Sequence, residues 1–228
     1  MAMSAALIFA PADACAANVF QSGAPGSHGF AYFPFWQQVL TDMSDSHVQQ
    51  PQPQTHVCAN ERSCIPTAWT TFLDSIRKEP RRAQLDAVNR WANAKPYVED
   101  IVNWGVSDYW ETPGQFIAHG GDCEDYAIAK YFSLVRLGFS PDDLRVVVVD
   151  DTNMNVFHAV LAVRSDGNVW LLDNQLPQIV PMSLAVQYVP VYSLNERGWW
   201  MHSMPRIDLG NVVIAAGNPN DDRGFAQN

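Results

Sequence analysis

A single thiol lies among three carboxylates near the middle of the chain. Cys123 is flanked by Asp122, Glu124 and Asp125 in the stretch GGDCEDYAIAK, which has the pattern of a helix start. At the first helical position a thiol lies beside unpaired backbone amides and the positive end of the helix dipole, and both lower a thiol pKa. The position is typical of a nucleophile; a buried, inert cysteine is the alternative interpretation.

The three carboxylates need a separate explanation. Asp122 is a good N-cap, and Asp125 three residues later can complete a variant of the capping box. Like charges raise a thiol pKa, so three acids beside Cys123 oppose thiolate formation unless a cation offsets them. Oxygen ligands favour calcium over zinc. We therefore expect Asp122 and Glu124 to contribute to a calcium site, completed by loop carbonyls or waters.

A base and its orienting carboxylate are predicted on a β-hairpin. Asp166 and Gly167 form a strong two-residue turn signal. This turn pairs Ser165 with Asn168, so the numbers of any two opposed residues in the hairpin add up to 333. In this register His158 and Asp173 are diagonal neighbours on one face. That face also carries Ala162, Val169 and Leu171, and we expect it to lie under the helix of Cys123.

Three interpretations compete with a catalytic role for these two residues. His158 can be a satisfied core histidine, and Asp173 can be a turn residue at the end of a strand. His119 is the rival base because it is close to Cys123 in sequence, but it has no evident partner carboxylate. The placement of His158 and Asp173 on one face, beside a cysteine at a helix start, nevertheless favours a catalytic triad. Its members would be Cys123, His158 and Asp173.

The periodicity predicts an α+β fold in which helices precede an antiparallel sheet. Helical patterns cover 66–79 and 81–95, a short helix is expected near Pro113 within the aperiodic segment 104–119, and the helix of Cys123 ends at Gly138. Four β-branched, turn-bounded segments are predicted strands: 144–150, 156–164, 168–174 and 186–194.

Composition limits the function classes. The chain has 228 residues, 47% hydrophobic, and a net charge of −10, which disfavours a nucleic-acid partner. The apolar run Ala5–Ala10 is too short to span a membrane, but the small-x-small sites after it are typical of the end of a secretory signal. We expect a periplasmic or secreted protein.

The same composition suggests three parts. Residues 1–29 are predicted to be a signal-like, flexible arm, residues 30–209 the catalytic domain, and residues 210–228 a flexible tail. The spacing of Cys58 and Cys64 allows a local disulfide in an exported protein, with two unpaired thiols as the alternative.

Ordered motifs over most of the chain resemble one known family. They are FPFW at 33–36, AVNRWAN, DYW, GDCEDYA, FHAVLAV and WLLDN. Together they resemble the bacterial transglutaminase-like cysteine proteinases. The resemblance implies a papain-like fold related to transglutaminases, with Cys123 as nucleophile, His158 as general base and acid, and Asp173 orienting the imidazole.

The resemblance carries further expectations about biology. It implies a periplasmic, calcium-dependent hydrolase in which Asp122 and Glu124 are implicated in the ion. Such peptidases release biofilm adhesins from the cell surface and are controlled by a membrane receptor that senses cyclic di-GMP. The expected partners are therefore a protein substrate, a surface adhesin, and a membrane receptor as regulator.

The chemistry expected is acyl transfer from an amide, with the Cys123 amide as one oxyanion donor and Gln115 or Trp110 as the second. Two alternatives stay open. A transglutaminase uses the same triad with an amine in place of water. A calcium-stabilised binding module would retain the three residues without activity.

Overall fold

The computed structural model describes residues 19–20, 26, 29–48 and 66–202, with the side chains of the first helix described to residue 44. Within these residues, helices precede an antiparallel sheet, so the predicted α+β class is confirmed. The helices are α1 Pro34–Val48, α2 Thr67–Ile76, α3 Arg81–Asn93, α4 Asp100–Asn103, α5 Pro113–His119 and α6 Cys123–Arg136, followed by short 3₁₀ turns at Pro141–Asp143 and Met182–Leu184.

Six strands form one sheet in the order β4-β3-β2-β1-β5-β6. They are β1 Leu144–Asp151, β2 Val156–Ser165, β3 Asn168–Leu172, β4 Val180–Pro181, β5 Tyr188–Asn195 and β6 Gly198–Met201. The β2–β3 register pairs Ser165 with Asn168 and Leu161 with Leu172, as predicted. Asp166 and Gly167 both have positive φ, at 52° and 76°, which is the conformation of a type I′ hairpin turn.

The predicted elements are present with small differences in their ends. Strands β4 and β6 and helices α1 and α4 were not predicted. Helix α1 does carry an apolar stripe at helical spacing, Trp36, Val39, Leu40 and Met43, which the sequence analysis missed, whereas α4 is only four residues long. Helix α1 is anchored, because Trp36 is fully buried and its indole donates to the Asn195 carbonyl at 3.1 Å.

Both faces of the sheet are covered. The larger core packs α6 through Ile128, Tyr131 and Leu134 against one face, which presents Leu161 and Leu172. The opposite face forms a second core whose members are Val19, Val147, Val149, Val160, Ala162, Leu171, Met182, Ala185 and Tyr188. The burial of Val19 differs from the expectation that residues 1–29 lie outside the core.

The prediction that α6 covers the face of Ala162 and Leu171 is wrong. The helix packs on the opposite face, which carries Leu161 and Leu172, the residues next to Ala162 and Leu171 along their strands. The physical reason is that β1 and β2 are apolar on both faces, so alternation identifies residues that share a face without indicating which face the helix covers.

Several predictions fall on residues outside the described ranges. These are the signal-like segment, the Cys58–Cys64 disulfide and the tail from residue 210 onward. Among the described helices, none combines the length and apolar character needed to cross a bilayer.

Candidate active site

Two glycines shape the turn that leads into α6. Gly120 has φ 78° and ψ −170°, a region that is essentially restricted to glycine. A Cβ there would collide with the backbone oxygen of Pro96, and a Cβ on Gly121 would collide with the Asp125 carboxylate. The chain can therefore approach both groups only because neither residue has a side chain, which explains the GG of the motif.

Asp125 fixes the start of α6. Its Oδ2 accepts from the Asp122 amide at 3.1 Å, and its Oδ1 accepts from the Glu111 amide at 2.8 Å. The side chain is fully buried. The predicted capping box at Asp122 and Asp125 is present, and Asp125 also ties the cysteine-bearing turn to the segment before α5.

The Cys123 thiol lies in a negative environment. Its Sγ donates to Glu124 Oε2 at 3.1 Å. Burial, then the charges of Glu124 and Asp122, raise the pKa of Cys123 well above its usual value, whereas a backbone hydrogen bond from Ala159 acts in the opposite direction. The acids thus oppose thiolate formation, as the sequence predicted.

The Cys123 sulfur interacts with the backbone of β2. Its backbone partner is Ala159, the residue after His158. Pairing between β2 and β3 ends at Leu161 and Leu172, so β3 no longer covers the edge at Ala159. The sulfur therefore interacts with the strand that carries the imidazole. Helix α6, however, packs on the face of the sheet opposite to the His158 side chain.

His158 and Asp173 form the predicted pair. His158 Nε2 lies 2.8 Å from Asp173 Oδ1, and the two side chains are 3% and 0% exposed. The Gln175 amide donates to the same oxygen at 2.9 Å, and the Tyr188 hydroxyl donates to Oδ2 at 2.7 Å. Hydrogen bonds and the charge of His158 hold the pKa of Asp173 below its usual value despite burial.

Tyr188 is a site residue that the sequence analysis missed. It begins β5, fifteen residues after Asp173 and across an irregular connection, and its ring centroid lies 5.8 Å from that of His158. A tyrosine within the strand pattern VQYVPVY shows no local signal that distinguishes it from a core residue.

Acidic side chains from three segments converge near the thiol. Asp122 and Glu124, the predicted metal ligands, lie with Asp100 of α4 and Asp108 of the following loop. Carboxylate oxygens of Asp100, Asp108 and Glu124 lie within 4.8 Å of one another, and so do those of Asp100, Asp122 and Asp125. Asp100 and Asp108 were not predicted because the segment 100–112 has no periodicity.

The charges of this cluster are uncompensated among the described residues. Burial, followed by the charge of Glu124, raises the pKa of Asp122 to about 9, and burial followed by Asp122 raises that of Asp100 to about 7. Asp100 Oδ1 and Asp122 Oδ1 are buried without a hydrogen-bond partner in the described part of the chain. Unpartnered carboxylate oxygens of this kind fit a hard cation such as calcium.

The candidate oxyanion donors have other partners. Gln115 Nε2 donates to the Tyr109 hydroxyl at 3.0 Å, and its Oε1 accepts from the Thr112 amide at 3.1 Å in an N-terminal capping box of α5. The Trp110 indole donates to Asp108 Oδ1 at 3.2 Å. His119, the rival base, packs edge-on against Trp104, with ring centroids 5.6 Å apart.

Comparison with known proteins agrees with this geometry. Residues 44–206 match the model of the bacterial transglutaminase-like cysteine proteinase family. A comparison with curated proteins finds no significant relative.

Solved structures of Legionella pneumophila LapG are similar to this chain. One is 32% identical, with a TM-score of 0.54, covering 72% of this chain and 87% of LapG. A calcium-bound form is 31% identical, with a TM-score of 0.55 and coverage of 75% and 92%, and an EGTA-treated form is 32% identical, with a TM-score of 0.55 and coverage of 73% and 86%. This chain therefore belongs to the bacterial transglutaminase-like cysteine proteinases, with a transglutaminase-like α+β fold and the activity type of a cysteine protease.

Proposed function

We propose that this protein is a calcium-dependent cysteine endopeptidase that acts in the periplasm or outside the cell on a protein substrate, a surface adhesin. The observation that carries the proposal is the 2.8 Å hydrogen bond between His158 Nε2 and Asp173 Oδ1, on the strand whose Ala159 amide contacts Cys123 Sγ. The signal-like N-terminal sequence and the resemblance of the chain to its family support the location and the substrate class.

The proposed reaction is acyl transfer to water. Thiolate from Cys123 attacks the scissile carbonyl carbon, and the Cys123 amide at the start of α6 stabilises the oxyanion. The His158 imidazolium gives its proton to the leaving amine as the C–N bond breaks. Neutral His158 then takes a proton from water, whose oxygen attacks the thioester, and the thiolate leaves with the imidazolium restored.

Asp173 supports both proton transfers without changing its own protonation. Its Oδ1 accepts from Nε2 and so keeps the second ring nitrogen, Nδ1, available for proton exchange with sulfur and substrate. Because the carboxylate receives three hydrogen bonds, it stays ionised beside the imidazolium despite its burial.

The acidic cluster fits the calcium part of the proposal. Asp100, Asp108, Asp122 and Glu124 would hold the ion, and calcium supplies positive charge that offsets these carboxylates. With Glu124 engaged as a ligand, its Oε2 would no longer accept from the thiol, and the strongest charge that opposes ionisation of Cys123 would be neutralised. The calcium-bound LapG structure supports the choice of ion.

Release of a cell-surface fragment tests the proposed function. The protein and its Cys123→Ala variant are incubated with the surface fraction of the producing cell, with calcium or with excess chelator. We expect a fragment released only by the unmodified protein with calcium. Incorporation of a labelled amine into a glutamine-bearing protein without chain cleavage would instead identify a transglutaminase, and no thiol-dependent change in any protein would contradict both activities.

A further inference from the structure

We propose that Tyr188 is a positioning residue for the His158–Asp173 pair, holding the Asp173 carboxylate so that Oδ1 faces the imidazole. The inference rests on the proposed function, because it assigns a role within the same site. It concerns a side chain from β5, whereas His158 lies on β2 and Asp173 directly after β3.

The two carboxylate oxygens of Asp173 accept hydrogen bonds from different partners. Oδ1 accepts from His158 and from the Gln175 amide, whereas Oδ2 accepts from the Tyr188 hydroxyl at 2.7 Å. A carboxylate held only at Oδ1 can rotate about its Cβ–Cγ bond. The bond from Tyr188 fixes the second oxygen and therefore the plane of the carboxylate.

Tyr188 is itself held firmly. Its side chain is 4% exposed and packs in the second core, and its amide donates to the Ala185 carbonyl at 3.0 Å. The preceding carbonyl, Gln187, accepts from both the amide and the hydroxyl of Thr152 at 3.0 Å. Burial and the charge of Asp173 raise the pKa of Tyr188, so its hydroxyl stays a donor.

The same bond affects protonation of Asp173. Titratable groups that interact with this carboxylate come from three elements: His158 of β2, Tyr188 of β5 and Lys130 of α6. Asp151 of β1 lies near Tyr188 and adds a second negative charge. Because the Tyr188 bond favours the ionised carboxylate, removing it makes Asp173 easier to protonate.

A hydroxyl deletion tests the role with little change in shape. In Tyr188→Phe we expect the rate of Cys123 alkylation by iodoacetamide, measured in calcium by peptide mass mapping, to fall about five- to tenfold, the effect of losing one hydrogen bond. The fall in rate on the acid side should also begin at higher pH. Tyr131→Phe is the matched control, since its buried hydroxyl accepts from the Glu196 amide at 3.3 Å, in the turn between β5 and β6.

A double substitution separates positioning from a general loss of stability. If Tyr188 acts through Asp173, adding Tyr188→Phe to Asp173→Asn should not slow alkylation further. An equal fold-loss in both backgrounds, or no loss in either, would overturn the inference.

Fragment release, measured on the same variants, keeps the two proposals apart. Slower alkylation in Tyr188→Phe would support the positioning role even if the unmodified protein releases no fragment, a result that would count against the peptidase alone. Full fragment release and unchanged alkylation in Tyr188→Phe would refute the positioning role and leave the peptidase standing.

Discussion

His158 Nε2 lies 2.8 Å from Asp173 Oδ1, so Nδ1 is the ring nitrogen to which the proposed mechanism assigns proton exchange with the reacting groups. The 2.8 Å bond lies between two side chains that are almost fully buried, where a hydrogen bond to a charged acceptor is strong. The orientation of the ring is thus determined by the carboxylate and by the strand that carries the histidine.

Replacing the carboxylate should remove this control. In Asp173→Asn the amide can present a donor to Nε2 and favour the wrong tautomer, so we expect kcat to fall by about 10²-fold or more with a smaller change in KM. Asp142→Asn is a suitable control, because Asp142 forms an exposed ion pair with Arg197 at 3.7 Å. Equal kcat values for the two variants in a fragment-release assay would contradict the role of Asp173.

Calcium should stabilise the folded protein through the acidic cluster. Binding at 100 times the Kd adds about 2.7 kcal/mol to the free energy of unfolding, so Tm should rise with calcium and fall in chelator. Asp100→Asn should weaken this rise, because the buried Oδ1 of Asp100 is one of the oxygens available to the ion.

Glu79→Gln serves as the control for the calcium titration. Glu79 lies on an exposed turn between α2 and α3, and its substitution should leave the calcium-dependent rise in Tm unchanged. A rise in Tm that is the same in Asp100→Asn as in the unmodified protein would place the ion elsewhere.

Lys130 should make stability depend on pH. It is fully buried on α6, and burial lowers its pKa to about 7, partly countered by Asp173. Between pH 7 and the unfolded lysine pKa of about 10.4, the unfolded state binds the extra proton, so this lysine makes the free energy of unfolding rise with pH. The expected slope is roughly 1.4 kcal/mol per pH unit.

Denaturant unfolding of the protein and of Lys130→Met at pH 6 to 9 measures this effect. Methionine has a similar shape and no charge, so the difference in unfolding free energy between the two should change with pH in the direction stated. A difference that is constant across this range would show that Lys130 keeps its ordinary protonation in the folded state.

The turn before α6 should tolerate no side chain at Gly120. Gly120→Ala places a Cβ against the Pro96 carbonyl at a positive φ, whereas Gly138→Ala meets a positive φ of 88° with no atom within 4 Å. We expect a cost of about 1–2 kcal/mol in Gly138→Ala and a larger cost in Gly120→Ala. Thermal unfolding of both variants provides the comparison, and a smaller loss at Gly120 would contradict the account.

Local patterns predicted the parts of the site that lie within one hairpin or one helix turn. The Asp166–Gly167 turn set the β2–β3 register, and that register placed His158 beside Asp173. The capping pattern likewise placed Cys123 at the first position of α6.

The remaining parts depend on tertiary packing. Val147 and Val160 lie on the face opposite to Val146 and Leu161, yet all four are fully buried, so alternation could not identify the face under α6. Asp108 reaches the site from a loop, Asp100 from a four-residue helix, and Tyr188 from a strand that follows an irregular connection, so their spacing along the chain gives no information about their spacing in three dimensions.

The central claim is that His158 activates Cys123, and the rate of alkylation of this thiol tests it directly. With calcium at pH 6, we expect iodoacetamide to modify Cys123 in the unmodified protein at least about 10² times faster than in His158→Ala, as counted by peptide mass mapping. In chelator the modification should slow, because the acids then raise the pKa of Cys123. Equal, slow modification of Cys123 in both proteins with calcium present would contradict the account.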